Sequence, residues 1–91
     1  MKLIFLRHGE AERKQPGMSD SQRRLTPAGR KECEKAARFL KEKQITADTV
    51  ISSPLARARE TSRTVMECAG WKCPLVFEDD LADQFSIVVL K

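Results

Sequence analysis

The sequence predicts an α/β protein: a three-layer α/β/α fold built on a mostly parallel sheet. Short apolar runs, which are typical of buried strands, alternate along the chain with longer amphipathic segments, which are typical of helices. The length of 91 residues suits one domain, and no stretch rich in glycine or serine divides it. We therefore expect residues 1–91 to form a single domain.

The first strand and the first helix both have local sequence signals. Residues 2–6 contain the apolar run LIFL, as expected of a strand that is buried on both faces. Residues 13–24 are polar and contain a proline–glycine turn signal, which predicts a loop. Thr26 is a favourable N-cap, and Pro27 is favoured at the first helical position. Small and apolar side chains then recur at helical spacing through residues 28–43.

The same order of elements is repeated further along the chain. A second strand is predicted within residues 45–53. Ser53 and Pro54 repeat the signal of a cap followed by proline, so we expect a second helix to begin there and to run to about Cys68. Gly70 is well placed to end that helix.

Two further strands are predicted at residues 74–77 and 87–90. Strands that alternate with helices favour a parallel sheet with right-handed crossovers. The apolar run at 87–90 would then lie at an open sheet edge, whose unpaired backbone groups invite another chain. If the chain is stable on its own, we expect a second copy to cover this edge, as a homodimer or by strand exchange.

The composition excludes several classes of protein. With 41% hydrophobic and 33% charged residues, the chain is expected to be globular and soluble, and no apolar run is long enough to span a bilayer. The apolar stretch near the start is too short for a signal peptide, so we expect a cytoplasmic protein with no membrane partner. The three cysteines, Cys33, Cys68 and Cys73, form no C-x-x-C pair, so a zinc site is not expected.

The charge of the chain says little about its partners. A net charge of +4 favours anionic partners only weakly, and the basic residues are spread along the sequence. Tyrosine is absent and phenylalanine and tryptophan are few, so a stacking platform for single-stranded nucleic acid is not expected. The only support for a basic nucleic-acid-binding domain is the net positive charge, so we expect no nucleic acid partner.

Polar residues that suit anion binding follow the first two strands. Arg7, His8 and Gly9 come after the first strand, and Arg57 comes after the second. Because ligands of parallel sheets bind beyond the carboxyl ends of the strands, we expect these residues to converge. Arg57 would lie in the first turn of its helix, where free backbone N–H groups favour an anion and a guanidinium adds bidentate donors.

His8 is the only histidine in the chain, and it lies among these arginines. Neighbouring positive charge favours the neutral ring, whose lone pair can attack a phosphoryl group that the arginines hold. Gly9 would let the backbone turn sharply and approach the bound group. A histidine at a strand end is also often no more than a hydrogen-bonded turn residue, and the sequence RHG alone does not decide between these roles.

Three motifs in this order resemble the histidine phosphatase superfamily, also called phosphoglycerate-mutase-like. They are LRHGEAE, RRLTPAGRKEC and VISSPLARARET, and the resemblance covers residues 2–82. The short loop before the first helix is most similar to the SixA-type phosphohistidine phosphatases. The resemblance implies a phosphatase that acts on phosphohistidine in a protein or on a small phosphorylated compound, with no metal or organic cofactor.

The resemblance also implies roles for individual residues. His8 would take the phosphoryl group and later lose it to water. Arg7 and Arg57 would hold the phosphoryl oxygens as catalytic and substrate-binding residues. Gly9 would accept a hydrogen bond from the His8 ring through its carbonyl group and so orient the nucleophilic nitrogen. No general acid is assigned.

The sequence departs from the family in one respect. Family members carry a second histidine after a later strand, and this chain has only His8. The chain is then either the N-terminal part of a longer protein or a reduced family member that cannot turn over normally. We expect the first, a histidine phosphatase fold that is incomplete at its C-terminus, with doubtful activity on its own. The alternative function is a non-enzymatic phosphate- or phosphoprotein-binding module that keeps Arg7, His8 and Arg57 for recognition.

Other polar residues allow two interpretations each. Arg23 or Arg24 would either reach the rim of the site or lie in a solvated loop. Ser53 would either donate to phosphate or serve as a plain N-cap. Glu60 and Arg63 have the spacing of an ordinary surface ion pair on a helix.

Overall fold

The computed structural model describes residues 2–81 and 85–90. The elements, in chain order, are β1 (Leu3–Arg7), a short 3-10 turn (Asp20–Gln22), α1 (Pro27–Glu42), β2 (Ala47–Ser52), α2 (Ala56–Ala69), β3 (Leu75–Phe77) and β4 (Phe85–Leu90). The predicted α/β class is therefore confirmed. Neither described helix is long and apolar enough to cross a membrane.

The four strands form one sheet in the order β1-β4-β2-β3. The strands β1, β2 and β3 run in the same direction, because β2 pairs parallel with β3 and both β1 and β2 pair antiparallel with β4. The carboxyl ends of β1 and β2 therefore lie at the same edge of the sheet, as the argument from the sequence requires. The single reversed strand lies between them.

The position of β4 corrects one expectation. The apolar run at 87–90 was expected at an open sheet edge, but Val88 and Val89 lie in a strand that is paired on both sides. The strand lies between β1 and β2 and runs antiparallel to both, an arrangement that the expected parallel crossovers do not include. Within the described residues the edges are β1 and β3. The backbone of β4 therefore needs no second chain to satisfy it.

Both helices pack on the same face of the sheet. The core between them and the sheet includes Val50 of β2, Val65 of α2 and Val88 of β4, each at most 1% exposed. On the opposite face Leu3 is 46% exposed and Val76 is 47% exposed. The described residues thus supply two of the three predicted layers, the sheet and one helical layer.

The start of α1 agrees with the prediction. The Thr26 hydroxyl accepts a hydrogen bond from the Gly29 N–H at 3.0 Å, and Pro27 is the first helical residue. A proline fits there because the first backbone N–H groups of a helix have no intrahelical partner. Both signals are local, so they could be read without knowledge of the fold.

The start of α2 differs from the prediction. The helix begins at Ala56, two residues after Pro54, and its N-cap residue is Leu55 in an extended conformation. The Ser53 hydroxyl accepts from the Leu55 N–H at 3.2 Å, which forms a turn instead of a helix cap. Gly70 ends the helix in the left-handed conformation, with φ of 73°, as predicted.

The loop after β1 packs very closely against α1. A Cβ atom at Gly29 would lie 2.1 Å from the Glu10 carbonyl oxygen, and one at Gly9 would lie 2.5 Å from the Gly29 carbonyl oxygen. Gly9 does not have a positive φ. The glycine is thus required for close packing on α1 and not for a left-handed backbone conformation.

Replacing Gly29 by alanine tests this contact. A helical glycine-to-alanine change alone would stabilise the fold by about 0.5–1 kcal/mol, whereas forcing a methyl group into a packed contact costs about 1–3 kcal/mol. We expect Gly29→Ala to lower the free energy of unfolding, measured by urea denaturation. Ala28→Gly, at the neighbouring exposed position, reports helix propensity alone. A Gly29→Ala protein more stable than wild type would contradict the contact.

Candidate active site

His8 faces a cavity at the carboxyl end of β1. The cavity has a volume of about 230 Å³ and is lined by residues of β1, α1 and α2, among them Arg7, His8, Glu32 and Thr61. Arg7 is exposed and shares this cavity. A larger cavity of about 410 Å³ lies at the amino ends of β2 and β3 and contains none of the predicted site residues. The smaller cavity is therefore the candidate active site.

The neighbouring backbone fixes the His8 ring. Its Nδ1 atom lies 2.6 Å from the Gly9 carbonyl oxygen, which is the contact that the family resemblance implies. A carbonyl oxygen can only accept, so Nδ1 carries the proton in this contact. In the neutral ring, Nε2 then keeps its lone pair. The contact thus leaves Nε2 as the ring nitrogen able to act as a nucleophile.

Thr61 of α2 connects the two strand ends. Its hydroxyl oxygen accepts the Gly9 N–H at 3.1 Å and donates to the Arg57 carbonyl oxygen at 2.8 Å. The side chain is buried at 1% exposure. The residues after β1 and β2 are therefore joined through one hydroxyl group, which supports the predicted convergence of the two segments.

Thr61 was not predicted as a site residue, although a signal was available. Thr61 follows Arg57 by four positions, the spacing at which a helical threonine hydroxyl commonly bonds a backbone carbonyl. The remaining acceptor capacity of that hydroxyl then suits a donor from another element. The identity of that donor, Gly9, depends on the tertiary fold.

Arg57 is buried and engages a residue that the sequence did not indicate. The whole residue is 5% exposed, and its Nη1 and Nη2 atoms donate to the Asp20 carbonyl and carboxylate oxygens, each at 2.9 Å. Asp20 lies in the polar loop before α1, where nothing in the sequence distinguishes it from its neighbours. Arg57 therefore reaches the site through its backbone, by way of Thr61, while its guanidinium holds Asp20.

Asp20 has two cationic partners. Arg23 donates to one carboxylate oxygen at 3.0 Å, and Arg57 donates to the other. The hydrogen bond from Arg23, followed by the one from Arg57, lowers the pKa of the Asp20 carboxyl below 3.8. Arg23 also donates to the Glu12 carbonyl oxygen at 2.7 Å, so it braces the loop as well as binding Asp20.

The predicted pair between Glu60 and Arg63 is wrong. Glu60 instead accepts from Arg24 at 3.2 Å and Arg30 at 3.5 Å, because α1 and its preceding loop pack beside α2 and bring both cations within reach. The Arg63 guanidinium lies over the Phe77 ring at 5.8 Å from the ring centre. Arg24 therefore lies in an ion-pair cluster on the surface, outside the cavity that holds His8.

Two further residues of the cavity wall were not predicted. The Glu32 carboxylate accepts the Glu10 N–H at 3.2 Å. Cys33 is buried at 4% exposure, and its burial raises the pKa of the thiol. The protonated thiol is a packing group against Gly9, and we assign it no nucleophilic role.

The family model for the histidine phosphatase superfamily (branch 1) matches residues 3–86. This chain belongs to that superfamily. The match includes the segment with His8, the segment that begins α1, and the segment that carries Arg57 and Thr61. The family predicted from the three motifs is thereby confirmed.

Solved structures of SixA proteins resemble this member of the superfamily. The protein histidine phosphatase SixA complexed with tungstate is 31% identical, with a TM-score of 0.80 over 88% of this chain and 51% of that chain. SixA from Agrobacterium tumefaciens is 29% identical, with a TM-score of 0.79 over 86% of this chain and 51% of that chain. The predicted histidine phosphatase fold is thus confirmed, and the chain spans about half the length of these proteins.

Curated relatives bear the names of mutases. A probable phosphoglycerate mutase, GpmB, from Escherichia coli is 34% identical over 87 residues, which cover 91% of this chain and 38% of the relative. A phosphoglycerate mutase from Candida albicans is 33% identical over 70 residues, which cover 75% of this chain and 28% of the relative. The chain therefore spans little more than a third of these relatives at most.

Replacing Thr61 by valine tests the connection between the strand ends. Valine keeps the shape but removes the hydroxyl, so the buried Gly9 N–H loses its acceptor, a loss that costs about 1–3 kcal/mol. We expect Thr61→Val to lower the free energy of unfolding by that amount and Thr61→Ser to restore most of it. Both are measured by urea denaturation.

Thr64 provides the matched control for this experiment. It lies one turn further along α2, is 6% exposed, and among the described residues its hydroxyl accepts one long bond, of 3.4 Å, from Arg30. We expect Thr64→Val to change stability much less than Thr61→Val. Equal effects from the two variants would show that the Thr61 hydroxyl has no special place in the fold.

The ion pairs of Asp20 give a pH-dependent contribution to stability. Because its pKa is lower in the folded chain than the ordinary value of 3.8, this contribution is present above 3.8 and is lost as the pH falls through the folded-state pKa. We expect Asp20→Asn to lower the melting temperature at neutral pH, with the difference shrinking well below 3.8. A difference independent of pH would contradict this assignment.

Proposed function

We propose that this chain forms the phosphoryl-transfer centre of a phosphatase that works through a covalent phosphohistidine on His8. Its substrate class is phosphohistidine on a protein partner or a small phosphorylated compound, and its location is the cytoplasm. The observation that carries the proposal is the His8–Gly9 contact, which leaves Nε2 as the nucleophilic nitrogen in a cavity shared with Arg7.

In the first step, the Nε2 lone pair of His8 attacks phosphorus. The P–N bond of a phosphohistidine substrate breaks as the new P–N bond to His8 forms. The departing imidazole nitrogen takes its electron pair from the broken bond and can be protonated readily by water. A nitrogen leaving group therefore makes a dedicated general acid unnecessary, and we assign none.

In the second step, water attacks the phosphorus of phosphorylated His8. The P–N bond breaks, inorganic phosphate leaves, and His8 recovers the lone pair on Nε2. The Gly9 carbonyl keeps its bond to Nδ1–H through both steps, so the ring needs no reorientation between them. If the phosphoryl group instead returned to an organic acceptor, the same site would act as a mutase.

Arg7 and Arg57 supply the positive charge for the phosphoryl oxygens in this proposal. Arginine suits this task because its planar guanidinium can donate two parallel hydrogen bonds to one phosphoryl group. By analogy with an oxyanion-hole donor, losing one such group costs about 2.7–4 kcal/mol of transition-state stabilisation. Arg57 can contribute only through the donors that Asp20 leaves unoccupied.

Two kinds of relative bear on the substrate. The structural similarity to SixA, with TM-scores of 0.79 and 0.80, supports phosphohistidine. The mutase names among relatives that are 33–34% identical support a small phosphorylated compound. We favour phosphohistidine because the short segment between β1 and α1 also resembles the SixA type.

A second candidate function is a phosphate- or phosphoprotein-binding module without turnover. What favours it is that these 91 residues hold a single histidine, His8, where the family resemblance implies two. An anion-binding site that lacks one hydrogen-bond donor can still bind an anion even where its turnover is slow. Binding and turnover must therefore be measured separately.

Phosphate release from a phosphohistidine peptide tests the proposed function. We expect the wild-type chain to release phosphate slowly, since it supplies only one of the two expected histidines, and His8→Ala to abolish release because no nucleophile remains. Arg57→Ala should reduce release by about 100-fold, the effect of losing one oxyanion donor. Arg38→Ala, an exposed position on α1, is the matched control and should leave the rate unchanged.

The outcomes separate the two candidate functions. Saturable binding of tungstate that requires Arg57, without phosphate release, would favour the binding module. Release that persists in His8→Ala would contradict a phosphohistidine intermediate. Release from a phosphorylated hydroxyl compound but not from the phosphohistidine peptide would overturn the assigned substrate class and leave the intermediate in place.

A further inference from the structure

We propose that Asp20 is a positioning residue for Arg57, holding the guanidinium by its two terminal nitrogens so that the Nε edge is left for phosphoryl oxygens. The inference rests on the proposed function, because it takes Arg57 to be a phosphoryl-binding residue. It assigns a task to a loop residue that no motif of the sequence marks.

The hydrogen bonds divide the guanidinium into two edges. Nη1 donates to the Asp20 carbonyl oxygen and Nη2 to its carboxylate, so one residue occupies the terminal end. A guanidinium has five N–H groups, of which Asp20 takes two. No described residue accepts a hydrogen bond from the Arg57 Nε–H, and Asp20 engages only Nη1 and Nη2. The Nε–H and the remaining terminal N–H groups are therefore the donors left for a phosphoryl oxygen.

Asp20 is itself fixed independently of Arg57. Its second carboxylate oxygen accepts from Arg23 at 3.0 Å, and Arg23 also binds the Glu12 carbonyl oxygen at 2.7 Å. The Glu12 N–H in turn donates to the Arg24 carbonyl oxygen at 2.8 Å. Asp20 thus belongs to a braced loop, and it can impose an orientation on Arg57.

Arg57 is fixed at both ends by these contacts. Its backbone carbonyl accepts from Thr61, whose hydroxyl also binds Gly9 next to His8. Its guanidinium is held by Asp20, and its side chain is only 6% exposed. A donor that is fixed before the substrate arrives loses little freedom on binding, which is the condition for effective stabilisation of developing charge. Asp20 fixes the guanidinium end of Arg57, which the contact between the Arg57 carbonyl and Thr61 does not reach.

Removing the Asp20 side chain changes anion affinity in opposite directions through charge and through orientation, so the two roles can be told apart. Asp20 carries a negative charge beside a site proposed for an anion, so removing that charge would by itself strengthen anion binding. If Asp20 orients Arg57, removing its side chain weakens anion binding in spite of the lost charge. A weaker affinity therefore reports orientation and not electrostatics.

Tungstate is the probe, and calorimetry gives its dissociation constant. We expect Asp20→Ala to weaken binding about tenfold or more, the equivalent of one charged hydrogen bond. Asp20→Asn keeps an acceptor oxygen and should bind within about threefold of wild type. Asp48→Ala removes the same charge from an exposed position on β2 and should bind as wild type does.

Nitrogen–proton correlation NMR of the arginine Nε–H groups gives a second readout. The Arg57 signal is assigned by its absence in Arg57→Lys. We expect it to be sharp in the wild type and in Asp20→Asn, and broadened in Asp20→Ala because the guanidinium then keeps only its bond to the backbone carbonyl of residue 20. A general loss of stability would broaden the signals of other residues as well as that of the Arg57 Nε–H.

The same titrations separate this inference from the proposed function. If tungstate does not bind the wild type, or binds equally well to Arg57→Ala, Arg57 is not an anion ligand and both proposals are overturned. If Arg57→Ala loses binding but Asp20→Ala binds as tightly as wild type or more tightly, only the role of Asp20 is overturned. Asp20 would then compete with the anion for Arg57.

Discussion

The hydroxyl group of Thr61 is the constraint on which the rest of the site depends. It is buried, it accepts the Gly9 N–H at 3.1 Å, and it donates to the Arg57 carbonyl oxygen at 2.8 Å. The two segments that it joins lie about fifty residues apart in the sequence. Gly9 in turn accepts from the His8 ring at 2.6 Å, so a single series of hydrogen bonds runs from that ring to the start of α2. Without it, the residues next to His8 would lose their hydrogen-bonded link to α2.

The same series explains why stability and function are difficult to separate in this chain. The loop after β1 has room for no side chain at Gly9, because α1 lies against it at Gly29. The loop also cannot move away from α2 without leaving the buried Gly9 N–H unpaired, which is costly. The His8 ring is therefore held in one orientation by its own backbone surroundings. Arg57 is fixed by the same principle, since its backbone is bound by Thr61 and its guanidinium by Asp20.

The features that could be predicted from the sequence are those set by neighbouring residues. Thr26 and Pro27 cap α1, and Gly70 ends α2, because caps depend on a few adjacent positions. The place of β4 within the sheet and the pairing of Asp20 with Arg57 were not predictable, because both depend on contacts between distant segments. The motifs revealed the family because they combine the residues at two strand ends, and those ends do lie at one edge of the sheet.

The central claim is that His8 Nε2 is the atom that takes the phosphoryl group. The most direct measurement mixes the chain with phosphoramidate, stops the reaction with alkali, which preserves phosphohistidine, and examines the protein by phosphorus NMR and peptide mass spectrometry. Our account predicts one phosphoryl group on His8, attached at Nε2, because Nδ1 is occupied by the Gly9 carbonyl. Phosphorylation at Nδ1, or at any residue other than His8, would contradict it.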